Sequence, residues 1–185
     1  MKKTNKKFIL IAVALLFVIS IGYAALSTTL SINGTANIAS NSWDVHFANL
    51  QTTSGSVTPT TAPTISGTNT TTLTWVVSLA QPGDFYEFTV DAVNGGTINA
   101  KIADNGITKT NLTTEQDTYL NYTVTYSNGS AIAVGDTLPK AGQTGSTKTM
   151  KVRVEYDSNV TAEQVNALTS PLAVTLNYSL NYVQD

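Results

Sequence analysis

Downstream of residue 25 the chain repeats one pattern: short runs with an apolar side chain at every second position, separated by clusters of Asn, Gly, Asp and Pro. Leu26, Thr28, Leu30 and Ile32 share a face ahead of Asn33-Gly34, and Trp43, Val45 and Phe47 alternate with Asp44 and His46. Leu73, Trp75, Val77 and Leu79 run to Gln81-Pro82-Gly83-Asp84, and Tyr86, Phe88, Val90 and Ala92 run to Asn94-Gly95-Gly96. Ile98, Ala100 and Ile102 stop at Asp104-Asn105-Gly106, and Leu120, Tyr122, Val124 and Tyr126 at Asn128-Gly129. Met150, Val152, Val154 and Tyr156 alternate with Lys151, Arg153 and Glu155. The longest stripe is Leu172, Val174, Leu176, Tyr178, Leu180 and Tyr182.

A period of two gives each strand one apolar and one wet face. Two such sheets laid face to face bury both apolar surfaces. The predicted fold is therefore all-β: an antiparallel β-sandwich of eight to nine strands, jelly-roll or immunoglobulin-like, filling residues 25–185 as one domain. The Asn-Gly pairs suit hairpins because both residues tolerate positive φ. One short helix is expected at Thr161 to Leu168, where Thr161 and Gln164 make a capping box and Pro171 follows. Gln51 to Thr72, rich in Thr, Ser, Pro and Gly, reads as a long loop or loosely held edge strand, and Gly135 to Ser146 as an exposed loop. Trp43 and Trp75 sit in alternating stripes and are expected in the core.

The amino terminus obeys different rules. Lys2, Lys3, Lys6 and Lys7 precede an apolar run from Phe8 to Ile21, and Gly22-Tyr23-Ala24-Ala25 follows. These are the three parts of a secretory signal peptide, residues 1–24, with Gly22 and Ala24 supplying the small side chains for a cut before Ala25. The alternative is a retained anchor helix, since the apolar stretch continued to Leu26 just suffices to span a bilayer.

Composition narrows the chemistry. Charged residues are only 12% of the chain, against roughly a quarter in ordinary soluble proteins. Cys is absent, which excludes disulfides, thiol nucleophiles and thiolate metal sites, and a single His excludes multi-histidine metal centres. Cleavage after Ala24 leaves six basic against twelve acidic residues, a net charge of −6, so no basic stripe remains to grip nucleic acid. His46 reads as a surface residue. Asp84, Asp91, Asp104 and Asp136 lie near turns but lack the spacing of a calcium loop. Leu138-Pro139-Lys140-Ala141-Gly142 departs from the LPxTG sorting signal at its fourth residue and reads as a loop. Lys101 and Lys151 point to the polar side of their strands, which argues against a buried isopeptide crosslink. No pair of carboxylates stands out for hydrolysis. No cofactor or metal is expected, and the chain reads as a non-enzyme.

The run Gly22-Tyr23-Ala24-Ala25-Leu26-Ser27 is followed at a distance by Pro82-Gly83-Asp84, Phe88-Thr89-Val90 and Asn94-Gly95-Gly96-Thr97. Together these resemble the camelysin/TasA-like secreted proteins of Gram-positive bacteria, over the export segment and the first half of the mature domain. The resemblance implies a dedicated signal peptidase, a β-sandwich, and kinship with fibre-forming proteins of the biofilm matrix. Camelysin is described as a metallopeptidase, but no residues here receive its catalytic site. The implied role is an exported structural protein of the cell surface or extracellular matrix. The alternative is a surface adhesin binding glycan or protein through the Gln51–Thr72 and Gly135–Ser146 loops; a hydrolase ranks below both.

Physical reasoning adds a route to assembly. Cleavage would free an end directly before the Leu26, Thr28, Leu30 and Ile32 stripe, and a terminal strand can pair with a neighbouring subunit instead of its own. Expected partners are other copies, other extracellular matrix proteins and the signal peptidase. Nucleic acid is not expected, and the membrane is met only through the N-terminal segment. Mass spectrometry of secreted material should find Ala25 as the first residue; an intact Met1-to-Ala24 segment on secreted protein would refute cleavage.

Overall fold

The structure is a computed structural model that describes residues 4–25, 29–67, 70–168 and 173–185. It divides into two compact units, Met1–Ala39 and Ser40–Asp185. In the first, α1 (Thr4–Ala25) carries the apolar run, and Phe8, Leu10, Leu15 and Phe17 are each more than half exposed. Among the described residues no helix is long and apolar enough to cross a membrane. Residues 29–44 form neither helix nor strand. Leu30 and Ile32, expected in a strand, lie in this stretch and are 91% and 100% exposed.

The second unit is mostly β, in antiparallel sheets with few helices. Its strands are β1 (Val45–Gly55), β2 (Thr61–Ile65), β3 (Leu73–Val76), β4 (Phe85–Asn94), β5 (Ala100–Thr110), β6 (Leu120–Tyr126), β7 (Thr137–Leu138), β8 (Thr147–Tyr156) and β9 (Thr175–Gln184). They form a four-stranded sheet β1-β4-β8-β6, a ribbon β2-β3 and a three-stranded sheet β7-β5-β9. Two short helices complete it, α2 (Thr114–Asp117) and α3 (Ala162–Asn166).

The alternation seen in the sequence sets the register. In β4 every second residue is buried, and Phe88 lies opposite Val152 of β8, which in turn faces Val124 of β6. Lys151, Arg153 and Glu155 take the other face, where Arg153 bonds Glu155 at 2.8 Å and lies 4.0 Å from the centre of the Phe85 ring. One core collects Tyr86, Phe88, Val90, Met150, Val152 and Val154 with Ala100, Ile102 and Leu138 of the three-stranded sheet. Trp75 joins from the ribbon, its ring 5.6 Å from Phe88 edge-on and within 6.4 Å of Tyr122.

Several expectations are corrected. Of the two expectations for Gln51 to Thr72, the long loop is corrected and the edge strand is found: β1, at the edge of the four-stranded sheet, continues to Gly55, and β2 follows with Pro63 buried. Asn49 adopts φ 50° at a bulge in β1 and donates to Asp91 Oδ2 at 2.9 Å, which carries the strand past residues that read as turn formers. Asp104-Asn105-Gly106 is likewise no turn. A register shift after Ile102 absorbs the extra residue, and the Asn105 side chain donates to Ile132 O at 2.8 Å, so β5 runs on to Thr110 against β9. Within Gly135 to Ser146, β7 pairs with β5 and Leu138 is completely buried, because that apolar side chain plugs the end of the core. Thr161 caps α3 with Gln164 as expected, and Thr113 caps the unforeseen α2 with Gln116 in the same way.

Where the chain enters the second unit it is tied to the turn after β4. Gly95 N donates to Asp44 O at 2.8 Å, Thr97 N to Ser42 O at 3.0 Å, and Ser42 N to Thr97 Oγ1 at 2.9 Å. A Cβ on Gly96 would stand 2.5 Å from Ser42 O, so only glycine permits this approach.

Phe88 is 1% exposed, so Phe88→Ala should cost about 3–5 kcal/mol in urea unfolding, whereas Thr108→Ala on the exposed face of β5 should stay within about 0.5 kcal/mol. Similar midpoints for both variants would refute this placement of the core.

Candidate functional site

Two strand edges are left without a second partner. Among the described residues β3 pairs only with β2, and β9 only with β5. Two hollows mark the seam between them. The larger, about 580 Å³, is lined by Val77 and Leu79 on one side and by Val174 and Leu176 on the other, with Tyr119 and Tyr156 behind. The smaller, about 220 Å³, sets Thr71 against Leu180 and Tyr182, with Trp43, His46 and Phe47 around it. Thr71, ahead of β3, thus shares a hollow with residues late in β9, and Val77 and Leu79, just after β3, share one with residues at its start, the order of two antiparallel edges. Their inward side chains, Leu73, Trp75, Leu176, Tyr178 and Leu180, are partly buried against the core.

The local sequence explains why the seam stays open. After Val76 the chain leaves the ladder, and Gln81-Pro82-Gly83-Asp84 turns it into β4. Asp84, 7% exposed, accepts from Ala80 N at 2.8 Å, Gln81 N at 3.0 Å and Ser56 Oγ at 3.2 Å, so its carboxylate is consumed in holding that turn. At the other end Phe47 N donates to Thr70 O at 2.8 Å, tying the ribbon to β1, and Ser66 N to Thr72 O at 3.0 Å, closing the ribbon itself. The Tyr156 hydroxyl beside the larger hollow is buried with no hydrogen-bond partner, a cost of about 1–3 kcal/mol in a packed interior.

The residues singled out in the sequence are dispersed. Gly22, Ala24 and Ala25 fall in the last turn of α1, and Leu26 and Thr28 lie outside the described residues. Trp43 is a correction: it is 48% exposed at the rim of the smaller hollow, because β1 begins only at Val45 and Trp43 precedes the ladder. His46 lies on that rim too, its Nδ1 2.8 Å from Asp44 Oδ1. Asp91 accepts from Asn49 and from Thr149 Oγ1 at 2.6 Å, and Asp136 accepts from Tyr126 Oη and from Ala133 N, both at 2.9 Å. Each of these carboxylates therefore serves a local turn or ladder. Among the described residues no group of three His, Asp or Glu could hold a metal ion. Lys101 pairs with Asp185 at 3.2 Å and Lys151 with Glu87 at 3.8 Å, both at the surface.

Sequence reading missed a tyrosine cluster below the seam. Burial, then the hydrogen bond and charge of Asp136, push the Tyr126 hydroxyl far above its ordinary range. Burial and the neighbouring Tyr178 raise Tyr122 to about 12, and burial with Tyr178 and Asp136 raises Tyr182 to about 12. Their spacing was visible as two-residue steps; their meeting across sheets was not.

A hydroxyl that ionises later in the folded than in the unfolded chain keeps its full contribution below about pH 10 and loses it as pH climbs. Stability should therefore hold through neutral pH and fall as pH rises from about 10 through about 12. Tyr126→Phe should flatten that alkaline loss and cost about 1.5–3 kcal/mol at neutral pH by removing the hydroxyl's bond to the Asp136 carboxylate, which retains Ala133 N. Denaturant midpoints across the pH range check both, and an alkaline limb unchanged by Tyr126→Phe would count against the cluster.

No protein-family model matches the chain, and no curated protein matches it in sequence.

Proposed function

We propose that this is an exported, non-enzymatic structural protein of the cell surface or extracellular matrix, a β-sandwich subunit that assembles by strand exchange. The two layers would be the β1-β4-β8-β6 sheet and the β7-β5-β9 sheet, whose buried faces share one core. The observation that carries the reading is the open seam: two antiparallel edges with hollows at either end, in a chain that also exposes Leu30 and Ile32 almost completely. Inserted between β3 and β9 of another copy, the Leu26, Thr28, Leu30 and Ile32 stripe would satisfy both edges and bury its apolar side chains.

Such a contact is head-to-tail and does not close, so it yields filaments. Removal of residues 1–24 by a signal peptidase would release the donor segment. The low charge of β9, which has no Lys, Asp, Glu or Pro from Thr175 to Gln184, leaves its edge unguarded against such pairing. The resemblance to camelysin/TasA-like proteins points the same way, toward a Gram-positive biofilm matrix. A second reading, a surface adhesin, draws on Trp43, whose half-exposed ring beside His46 and Asn181 offers a stacking face for a sugar.

Negative-stain microscopy of mature protein should show filaments, and removal of residues 25 to 34 should leave monomers. Monomers in both preparations would refute strand exchange, and glycan-array binding abolished by Trp43→Ala would favour the adhesin.

A further inference from the structure

We propose that Asn33-Gly34 is a site of spontaneous deamidation, the one Asn-Gly pair in this chain whose chemistry the fold leaves free. The chain contains four such pairs, at 33-34, 94-95, 105-106 and 128-129. In this reaction the glycine backbone nitrogen attacks the asparagine Cγ. The N–Cγ bond forms, the Cγ–Nδ2 bond breaks, and ammonia leaves with the proton the backbone nitrogen gave up. Water then opens the cyclic imide. Opening at Cγ restores the ordinary chain as aspartate; opening at the main-chain carbonyl leaves isoaspartate, with one extra carbon in the backbone. One water is consumed and one ammonia released, and no oxidant or enzyme is required. The step needs a glycine N–H free to lose its proton and a side-chain amide free to swing onto it; the missing Cβ of glycine removes the usual steric obstacle.

Three of the four pairs are held at the side chain, and the pairs at 94-95 and 128-129 at the glycine N–H as well. Asn94 is 2% exposed and donates from Nδ2 to Ile98 O at 2.8 Å and Leu138 O at 3.0 Å, while Gly95 N donates to Asp44 O at 2.8 Å. Asn105 donates to Ile132 O at 2.8 Å and Tyr178 Oη at 3.3 Å, and Gly106 sits opposite Ser179 within the β5–β9 ladder. Asn128 Oδ1 accepts from Ser130 N at 3.0 Å and Ser130 Oγ at 2.7 Å, while Gly129 N donates to Tyr126 O at 2.8 Å. Asn33 and Gly34 differ on each point. Both are exposed, in the stretch without helix or strand, and neither makes a hydrogen bond among the described residues. Nothing lies within 4 Å of where a Gly34 Cβ would stand.

The product changes the local electrostatics out of proportion to one atom. No charged residue occurs between Lys7 and Asp44, so the new carboxylate is the first in that stretch, and it sits one residue from Ile32. The reaction rests on the four local geometries alone, independent of whether the chain forms filaments.

The test is peptide mapping by mass spectrometry of the full chain held in warm, mildly alkaline buffer, with an isoaspartate-specific methyltransferase as second readout. Asn33 should convert faster than Asn94, Asn105 and Asn128 by on the order of tenfold or more, because reaction at the held pairs waits on local opening. In concentrated urea the four rates should converge. Gly34→Val should suppress conversion at residue 33 without changing the unfolding midpoint. Equal rates in the folded chain, or a held pair reacting first, would overturn the assignment.

Discussion

Burial along β4 organises the second unit. Each alternate residue from Tyr86 to Asn94 is sunk to 2% exposure or less, and the strand pairs on both sides, with β1 and β8. A slip of one residue would turn that whole row to water, so the register of three strands is set by one row of side chains. The ladder then carries its alternation outward to β6, and the opposing face of β5 and β7 completes the same core. Even the polar end of the row is committed: Asn94 spends its amide on Ile98 and Leu138 carbonyls, joining β4 to the loop and strand above it.

Strands with strict alternation were legible in the sequence because their neighbours obey it too. β4, β6 and β8 lie where Tyr86, Leu120 and Met150 open their stripes. Elements that depend on a distant partner were not. Asp104-Asn105-Gly106 has every local mark of a turn, and only the carbonyl of Ile132 and the β9 ladder convert it into strand. Trp43 continues a stripe on paper but stands before the ladder starts. The capping box at Thr113 has the same Thr-x-x-Gln form as the one at Thr161, yet without an apolar period after it the signal passes for loop. The seam between β3 and β9 is invisible in sequence for a related reason: an unmade pairing leaves no residue pattern.

The scarcity of charge has two consequences that pull together. The wet faces are built largely from Thr, Ser and Asn, with few of the lysines that ordinarily discourage edge contacts. Three of the ion pairs join Lys151, Arg153, Glu87 and Glu155 on the outer face of the four-stranded sheet, while Lys101 with Asp185 and Lys109 with Asp117 lie along β5, the neighbour of β9. Chemistry is spread thin in the same way, since the carboxylates of Asp84, Asp91 and Asp136 are each occupied by nearby amides or hydroxyls.

The crossing of Ser42 to Asp44 over Gly95-Gly96 has a mechanical meaning. Any pull transmitted through residue 40 reaches three hydrogen bonds at that crossing before it reaches the ladder of β1 and β4. Glycine at 96 lets the strap lie flush on the turn, so that a pull from this side would load a short clasp of backbone bonds first.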